Sequence, residues 1–248
     1  FAEIFGTHHH VFHLEDWVFQ SDYAEEALNK QFNTTSLKGF GVERLSSGII
    51  AAGAALHYLS ETRHHKLQHI AKIARIAENE YVWMDRFTIG NLELYHASSQ
   101  NAVTLLDVID KTISPMGGRL LKRWVALPLK KKDKITNRHE VVSYLIKKQP
   151  VLTAIQTNIK CIGDIERLIS KVATGKVSPR EVVQLKNSLE AILPIKKESE
   201  NAKNNAIKTI GKNLQDCKIL REKITNTLNE DAPVLIQKGN AIAKGVSE

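Results

Sequence analysis

From about residue 85 onward, apolar residues recur every third or fourth position, which predicts helices. Ser114-Pro115 is a helix start: a serine hydroxyl satisfies the first free amides, and proline at the first helical position has no amide to satisfy. The helix that follows puts Met116, Leu120, Leu121, Trp124 and Val125 on one face and Arg119, Lys122 and Arg123 on the other, and Pro128 stops it. Ile165, Leu168, Ile169 and Val172 repeat with the same period. Ser178-Pro179-Arg180-Glu181 reads as a capping box, and Val182, Leu185, Leu189, Ile192 and Leu193 then make an apolar stripe. A further helix is expected from about Asp216 to Leu228, with Ile219, Leu220 and Ile224 inward. After it, Pro233-Val234-Leu235-Ile236 is β-prone and meets a turn at Lys238-Gly239-Asn240.

The first 70 residues read differently, as mixed α/β. Trp17-Val18-Phe19 is a short β-prone run. Ser21 opens a helix with Glu25 and Glu26 early in it, where the helix dipole favours acids, and that helix presents Ala24, Ala27, Leu28 and Phe32. A turn at Gly39/Gly41 leads to Ser47–Leu59, which is rich in Ala and Gly and apolar nearly all round. Such a helix is expected to be buried, here against a sheet, with its small residues allowing close approach. Residues 67–84 carry β-prone pieces, notably Tyr81-Val82-Trp83, and read as extended connecting structure.

Charge sharpens this division. The chain of 248 residues carries a net +8, but residues 1–110 are acidic on balance, while residues 111–150 hold eleven Lys and Arg against two acids. That asymmetry suggests a nearby polyanion, or equally a solvated face that keeps the protein soluble. The basic residues Lys122, Arg123, Lys130, Lys131, Lys132 and Lys134 are candidates for contact with a DNA backbone. No aromatic residues alternate with them to stack bases. The longest apolar run, Gly48–Leu59, is too short to span a bilayer, and no signal peptide is read at the N-terminus. Two cysteines, Cys161 and Cys217, make neither a disulfide framework nor a zinc site, so a reduced, cytoplasmic setting is expected.

Catalytic signals are few. No phosphate-binding loop of the form G-x-x-x-x-G-K-[ST] occurs, and Gly117-Gly118-Arg119 lies within a predicted helix. His8, His9, His10 and His13 could bind a transition metal but read better as a surface loop, with no metal site expected. Asp107 and Asp110 could form an acid/base pair but read better as a solvated helical face. Trp124 shares its stripe with Leu120, Leu121 and Val125, and these four are expected in the core.

Several motifs carry a resemblance. Met84-Asp85, Asn91-Leu92-Glu93-Leu94, Thr104-Leu105-Leu106-Asp107-Val108-Ile109-Asp110, Thr112, Pro115-Met116-Gly117, Arg119 to Trp124 and Pro128-Leu129 are similar in order and spacing to the core of the MutS family. Arg138, Gly163 to Leu168, Pro179-Arg180-Glu181 and Glu230 to Ile236 continue the match. Trp17-Val18-Phe19, Ala24, Leu28, Phe32, Gly39 to Val42 and the Ala-rich helix resemble the end of that family's connector domain. Phe1-Ala2-Glu3 has the form of the family's mismatch-reading Phe-x-Glu, but its flanks match the connector, so that role is not transferred; Phe40 has Glu43 at the wrong spacing.

The resemblance implies a mainly α protein, a helical core/lever bundle preceded by a partial α/β, RNase H-like connector. Residues 1–72 are expected to be the C-terminal part of the connector, 73–84 a linking segment, and 85–248 the first half of the core up to the clamp. It further implies a non-catalytic module, without mismatch reader or ATPase, that links mismatched-DNA binding to an ATPase elsewhere in an intact protein. ATP and Mg belong to that intact protein, no cofactor is expected in this chain, and the implied partners are mismatched duplex DNA, a MutL-type protein and a second copy in a homodimer, with no membrane. Competing readings are a recombination branch of the family, a direct DNA-binding module built on residues 111–150, and an independent enzyme, which the lack of any convergent acid, base or nucleophile set opposes.

Overall fold

The computed structural model describes residues 11, 13–62, 67–76, 78–97, 99 and 102–246, and it divides into two compact units, one up to Ile76 and one from Ala77 onward.

The first unit is built on two helices, α1 (Ser21–Phe32) and α2 (Ser46–Glu61). They cross where Gly53 of α2 meets Ala24 of α1. A β-carbon on Gly53 would lie 2.6 Å from the Ala24 Cα, so only glycine permits this approach. Ala24, Leu28, Leu37, Val42 and Ile49 form the core, with Phe32, Phe40, Leu56 and Ile73 against it. Asn33, at φ 50°, ends α1 in the left-handed conformation that asparagine tolerates. Gln31 Nε2 then donates to the carbonyls of Leu67 (2.7 Å) and Ile70 (3.0 Å), which ties the turn at 67–70 to α1.

Two expectations are corrected here. The Ala-rich helix buries only Ile49, Gly53 and Ala54 as it packs on α1, leaving Ala51, Ala55 and Tyr58 exposed, and no strand occurs among the described residues of this unit, so it packs on no sheet there. Trp17-Val18-Phe19 is not a strand but part of a 3-10 turn, Asp16–Phe19, that leads directly into α1. With no partner strand, the turn satisfies its own backbone: Val18 N donates to Glu15 O (3.0 Å) and Gln20 N to Trp17 O (3.2 Å). Val18 alone is buried, while Trp17 and Phe19 stay largely exposed.

The second unit contains nine helices among the described residues: α3 (Arg86–Asn91), α4 (Leu105–Ile109), α5 (Pro115–Ala126), α6 (Lys132–Lys147), α7 (Gln149–Lys160), α8 (Ile165–Ala173), α9 (Pro179–Glu200), α10 (Asn205–Asn213) and α11 (Lys218–Thr227). The longest, α9, is the hub and packs on α7, α8, α10 and α11. It starts at the reciprocal cap foreseen from Ser178 and Glu181: Ser178 N donates to Glu181 Oε2 (2.9 Å) and Glu181 N to Ser178 Oγ (3.3 Å). Ser114 caps α5 through Gly117 N (3.1 Å), and Asp85 caps α3 through Thr88 N (2.7 Å). Leu168, Leu185 and Leu189 make the core, with Ile165, Ile192 and Cys217 against them. Gly211 of α10 repeats the device seen at Gly53, since a β-carbon there would meet Ser199 Cβ at 2.8 Å and Glu200 N at 2.9 Å.

The amphipathic faces are real, but burial is less complete than their period implies. Ile169 and Val172 are exposed while Leu168 is buried, and on α11 only Ile224 is buried, Ile219 being 84% exposed. Pro233–Ile236 forms no strand. Residues Ile236–Lys238 make a 3-10 turn, and the pairing nearby is a bridge between Leu228 and Ile242. Gly239 and Asn240 take positive φ, as a turn there requires. No helix among the described residues is long and apolar enough to cross a membrane.

Candidate functional surface of the helical unit

The basic stretch occupies the end of α5, the connection to α6 and the first turn of α6. Lysines at 131, 132 and 134 crowd a helix N-terminus, where the dipole disfavours positive charge. The structure answers with Glu80. Its backbone carbonyl accepts from Lys130 N (2.9 Å), and Tyr81 bridges Leu129, so segment 80–82 runs antiparallel to 128–130. The Glu80 carboxylate thereby receives both Lys131 (2.6 Å) and Lys134. These lysines hold the Glu80 carboxyl below its usual range. Residues 80–82, part of the stretch 67–84 expected as connecting structure, are tied by these bonds into the second unit.

The other candidates are dispersed. The Lys122 ammonium lies 5.2 Å from the centre of the Tyr95 ring, and the Tyr95 hydroxyl donates to the Lys122 carbonyl. Arg123, Lys130 and Lys132 are exposed. Thus the structure brings Lys131 and Lys134 together on one carboxylate and does not gather all six cations onto one site.

Arg119, on the same helix, is a residue for which sequence reading offered no role beyond a polar face. Its Nη1 and Nη2 grip Asp164 in a two-pronged contact at 2.8 and 2.7 Å, and its Nε and Nη2 reach Glu166 at 3.0 and 2.6 Å. The paired carboxylates push the guanidinium pKa up, and Arg119 pulls Asp164 down. Asp164 also caps α8, so this clasp joins α5 to the start of α8. The acids at 164 and 166 in the sequence were the available signal, but a separation of 45 residues hid the pairing.

The four residues expected in the core of α5 are corrected. Leu120 and Trp124 are 48% and 41% exposed, Leu121 and Val125 are half-buried, and α5 contains no buried residue. Arg138 of α6 covers the Trp124 ring, its guanidinium carbon 3.5 Å from the ring centre. Burial there pulls the Arg138 pKa below its ordinary value. The indole is a stacking platform for a cation, with its rim in water.

Asp107 completes the capping box that Thr104 opens at the start of α4, and Asp110 ends that helix in a turn with Thr112. Asp107 accepts from Thr104 N (3.0 Å) and Thr104 Oγ1 (2.7 Å), and Asp110 accepts from Thr112 N (3.0 Å) and Thr112 Oγ1 (2.6 Å). These bonds lower both pKa values, first through the threonine side chains, so neither carboxyl is held protonated as a general acid would be. His8, His9 and His10 lie outside the described residues, and His13 is exposed. Among the described residues no group of three His, Cys, Asp or Glu is placed to hold a metal ion.

Between α5, α6, α7, α9 and α10 lies an apolar cavity of about 400 Å³, lined by residues that include Met116, Leu145, Ile159, Ile192, Ile195 and Ile207. Gly117 and Gly118 sit inside α5, their amides engaged in helix capping and helix bonding, so residues 117–119 do not fit a nucleotide's phosphates.

Two family models match the chain: MutS domain II over residues 9–71 and MutS domain III over residues 87–244. The chain belongs to the MutS family. A DNA mismatch repair protein MutS from Christiangramia forsetii is 63% identical over 247 residues, one from Flavobacterium johnsoniae 64% over 248, and one from Parabacteroides distasonis 48% over 248. Each alignment covers 100% of this chain but only 28–29% of the relative, so the chain spans under a third of the MutS proteins it matches. The domain II match falls in the first compact unit and the domain III match in the second. The mainly helical architecture agrees with the connector-and-core organisation of MutS.

Proposed function

We propose that this chain is the connector and first core segment of a longer DNA mismatch-repair protein, and that it performs no phosphoryl chemistry of its own. The observation that carries the reading is the consecutive match to MutS domains II and III across nearly the whole chain. The module's task is transmission: mismatched duplex DNA is engaged, and ATP with Mg is bound, by other parts of the intact protein. The hub helix α9, packed on four neighbours, suits this task because closely packed helices move as blocks. A MutL-type partner, a homodimeric intact protein and a cytoplasmic location belong to the same reading. Its domain limits are 1–72 for the connector, 73–84 for the link and 85–248 for the core.

Lys122, Arg123, Lys130, Lys131, Lys132 and Lys134 are proposed as auxiliary contacts to a DNA backbone. Glu80 offsets Lys131 and Lys134, which weakens their part in it. The test is a binding titration of this chain with matched and single-mismatch duplexes at low and near-physiological salt. Weak binding that salt abolishes and that ignores the mismatch is expected, since phosphate contacts release counterions. Binding that survives physiological salt and favours the mismatch overturns the transmission reading and makes residues 111–150 a recognition surface.

A further inference from the structure

Residues 228–243 form a closed loop on the hub helix. Its base is clipped by the Leu228–Ile242 bridge, by Asn229 N donating to Ala241 O (3.0 Å) and by Ala243 N donating to Thr227 O (3.0 Å). Inside the loop, Asn229 folds the chain back: its carbonyl accepts from Ala232 N (3.0 Å), its side-chain oxygen from Asp231 N (3.1 Å), and its side-chain nitrogen donates to Asn240 Oδ1 (3.1 Å). Such self-bonded loops move as units when they move.

Two cations of α9 hold it down. Arg180 Nε donates to the carbonyl of Ala232 (3.3 Å), whose side chain is buried. Lys186 is unusual for a lysine, its side chain only 7% exposed. Its counter-charges are Glu190, one turn on at 3.9 Å, and Glu230 of the loop at 3.5 Å. Glu190 shares the helix with Lys186 and so cannot fix the loop; Glu230 can. Arg180, Val183 and Lys186 follow one another at three-residue spacing, a single ridge of the helix, and Val183 is buried. At the far end, Val234, Leu235 and Ile236 are all more than half exposed, beside a cavity of about 610 Å³ that Lys176, Pro179, Arg180 and Gln184 help to line. The loop is thus fastened by polar latches at its near end and by no buried apolar side chain at its tip.

We infer that residues 228–243 are a strap that opens from α9 as one cooperative unit, its base clips and the bonds around Asn229 giving way together with its two latches, Arg180 and Lys186. The inference does not depend on the mismatch-repair reading. When the strap lifts, Lys186 exchanges its pairing with Glu230, whose own side chain is 81% exposed, for water, so opening is feasible without unfolding α9. A leucine at 186 would tie the strap more firmly and less selectively.

The test is amide hydrogen exchange in the intact protein. The reporters are Asn229, Ala232 and Ala243 in the strap, against Leu185 to Leu189 in α9. In Arg180→Met and Glu230→Gln the three strap amides are expected to exchange at least about fivefold faster, by a common factor, while the α9 amides are unchanged. Lys186→Ala should give the larger rise and Lys186→Arg should restore protection. If Lys186→Ala loosens the whole unit, the Arg180 and Glu230 variants still decide the question. Unchanged strap exchange in both of them, or a rise shared by the α9 amides, overturns the strap.

Discussion

In the first unit, helices α1 and α2 touch backbone to backbone at Ala24 and Gly53, and five buried apolar residues close the space around them. In the second unit α9 meets four helices, yet α5, α6 and α7 contain no buried residue, and their apolar sides line a cavity of about 400 Å³. There the joints are largely ionic: Arg119 to Asp164 and Glu166, Glu80 to Lys131 and Lys134, Lys171 to Glu181. One unit closes a small apolar core around a backbone-to-backbone contact, and the other holds its helices by polar clasps while leaving apolar faces partly open. The difference teaches that an amphipathic period fixes which face a helix turns inward, not how completely that face is covered.

The comparison breaks most visibly at the two cores. Ile49 is 2% exposed and Leu189 is 8% exposed. Replacing either by alanine should cost about 2–5 kcal/mol. Ile49→Ala is expected at the upper end, because its neighbours are tied by the Gly53 contact and cannot collapse into the void. Leu189→Ala should fall lower, since the second unit already contains open apolar space. Chemical denaturation read separately in each unit by hydrogen exchange checks this, and equal losses would mean that the two cores are equally rigid.

The crossing points sharpen it further. Gly53→Ala forces a methyl to 2.6 Å from the Ala24 backbone in mid-helix, with an expected loss of about 3 kcal/mol. Gly211→Ala meets Ser199 and Glu200 in the last turn of α9, where the chain can yield, so about 1–2 kcal/mol is expected. Melting temperatures of the two variants give the order, and the reverse order would place the rigid joint in the second unit.

Much of this architecture could be read from the residues. The caps at Ser114 and Ser178 and the helices behind them follow from local rules, because a cap is satisfied within four residues. Strand propensity misled at Trp17-Val18-Phe19 and Pro233–Ile236, where no partner strand occurs among the described residues and a turn satisfies the backbone instead. The clasps were not legible: Glu80 lies 51 residues from Lys131 and Arg119 lies 45 from Asp164, and nothing local ties either pair. Trp124 marks the same limit. Its place on the apolar stripe was correct, but its ring is covered by Arg138 and partly by water. Trp124→Ala should therefore cost about 1–2 kcal/mol, the scale of a partly exposed cation–π contact plus some lost packing. A double-mutant cycle with Arg138→Ala should return a coupling of about 0.5–1 kcal/mol. No coupling would show that the stack contributes nothing.

The smallest expected effect tests the polar joints by pH. Glu181 has its pKa lowered from 4.5 to about 2, first by Lys171, then by the Ser178 amide. A carboxyl that is more acidic when folded binds fewer protons than in the unfolded chain, so it stabilises the fold while ionised. That contribution is complete above the unfolded value near 4.5 and fades as pH falls through the folded value near 2. Glutamine at 181 keeps the capping geometry, because its amide oxygen can still accept from Ser178 N, but it cannot pair with the charge of Lys171. Glu181→Gln should thus melt slightly lower than the parent at pH 7, and the gap should narrow between pH 4.5 and pH 2. The side chains are in contact with solvent, so added salt should narrow the gap at pH 7 as well. A gap that stays constant across that pH range would assign the role of Glu181 to its cap alone, and would leave Lys171 as a bystander at the joint between α8 and α9.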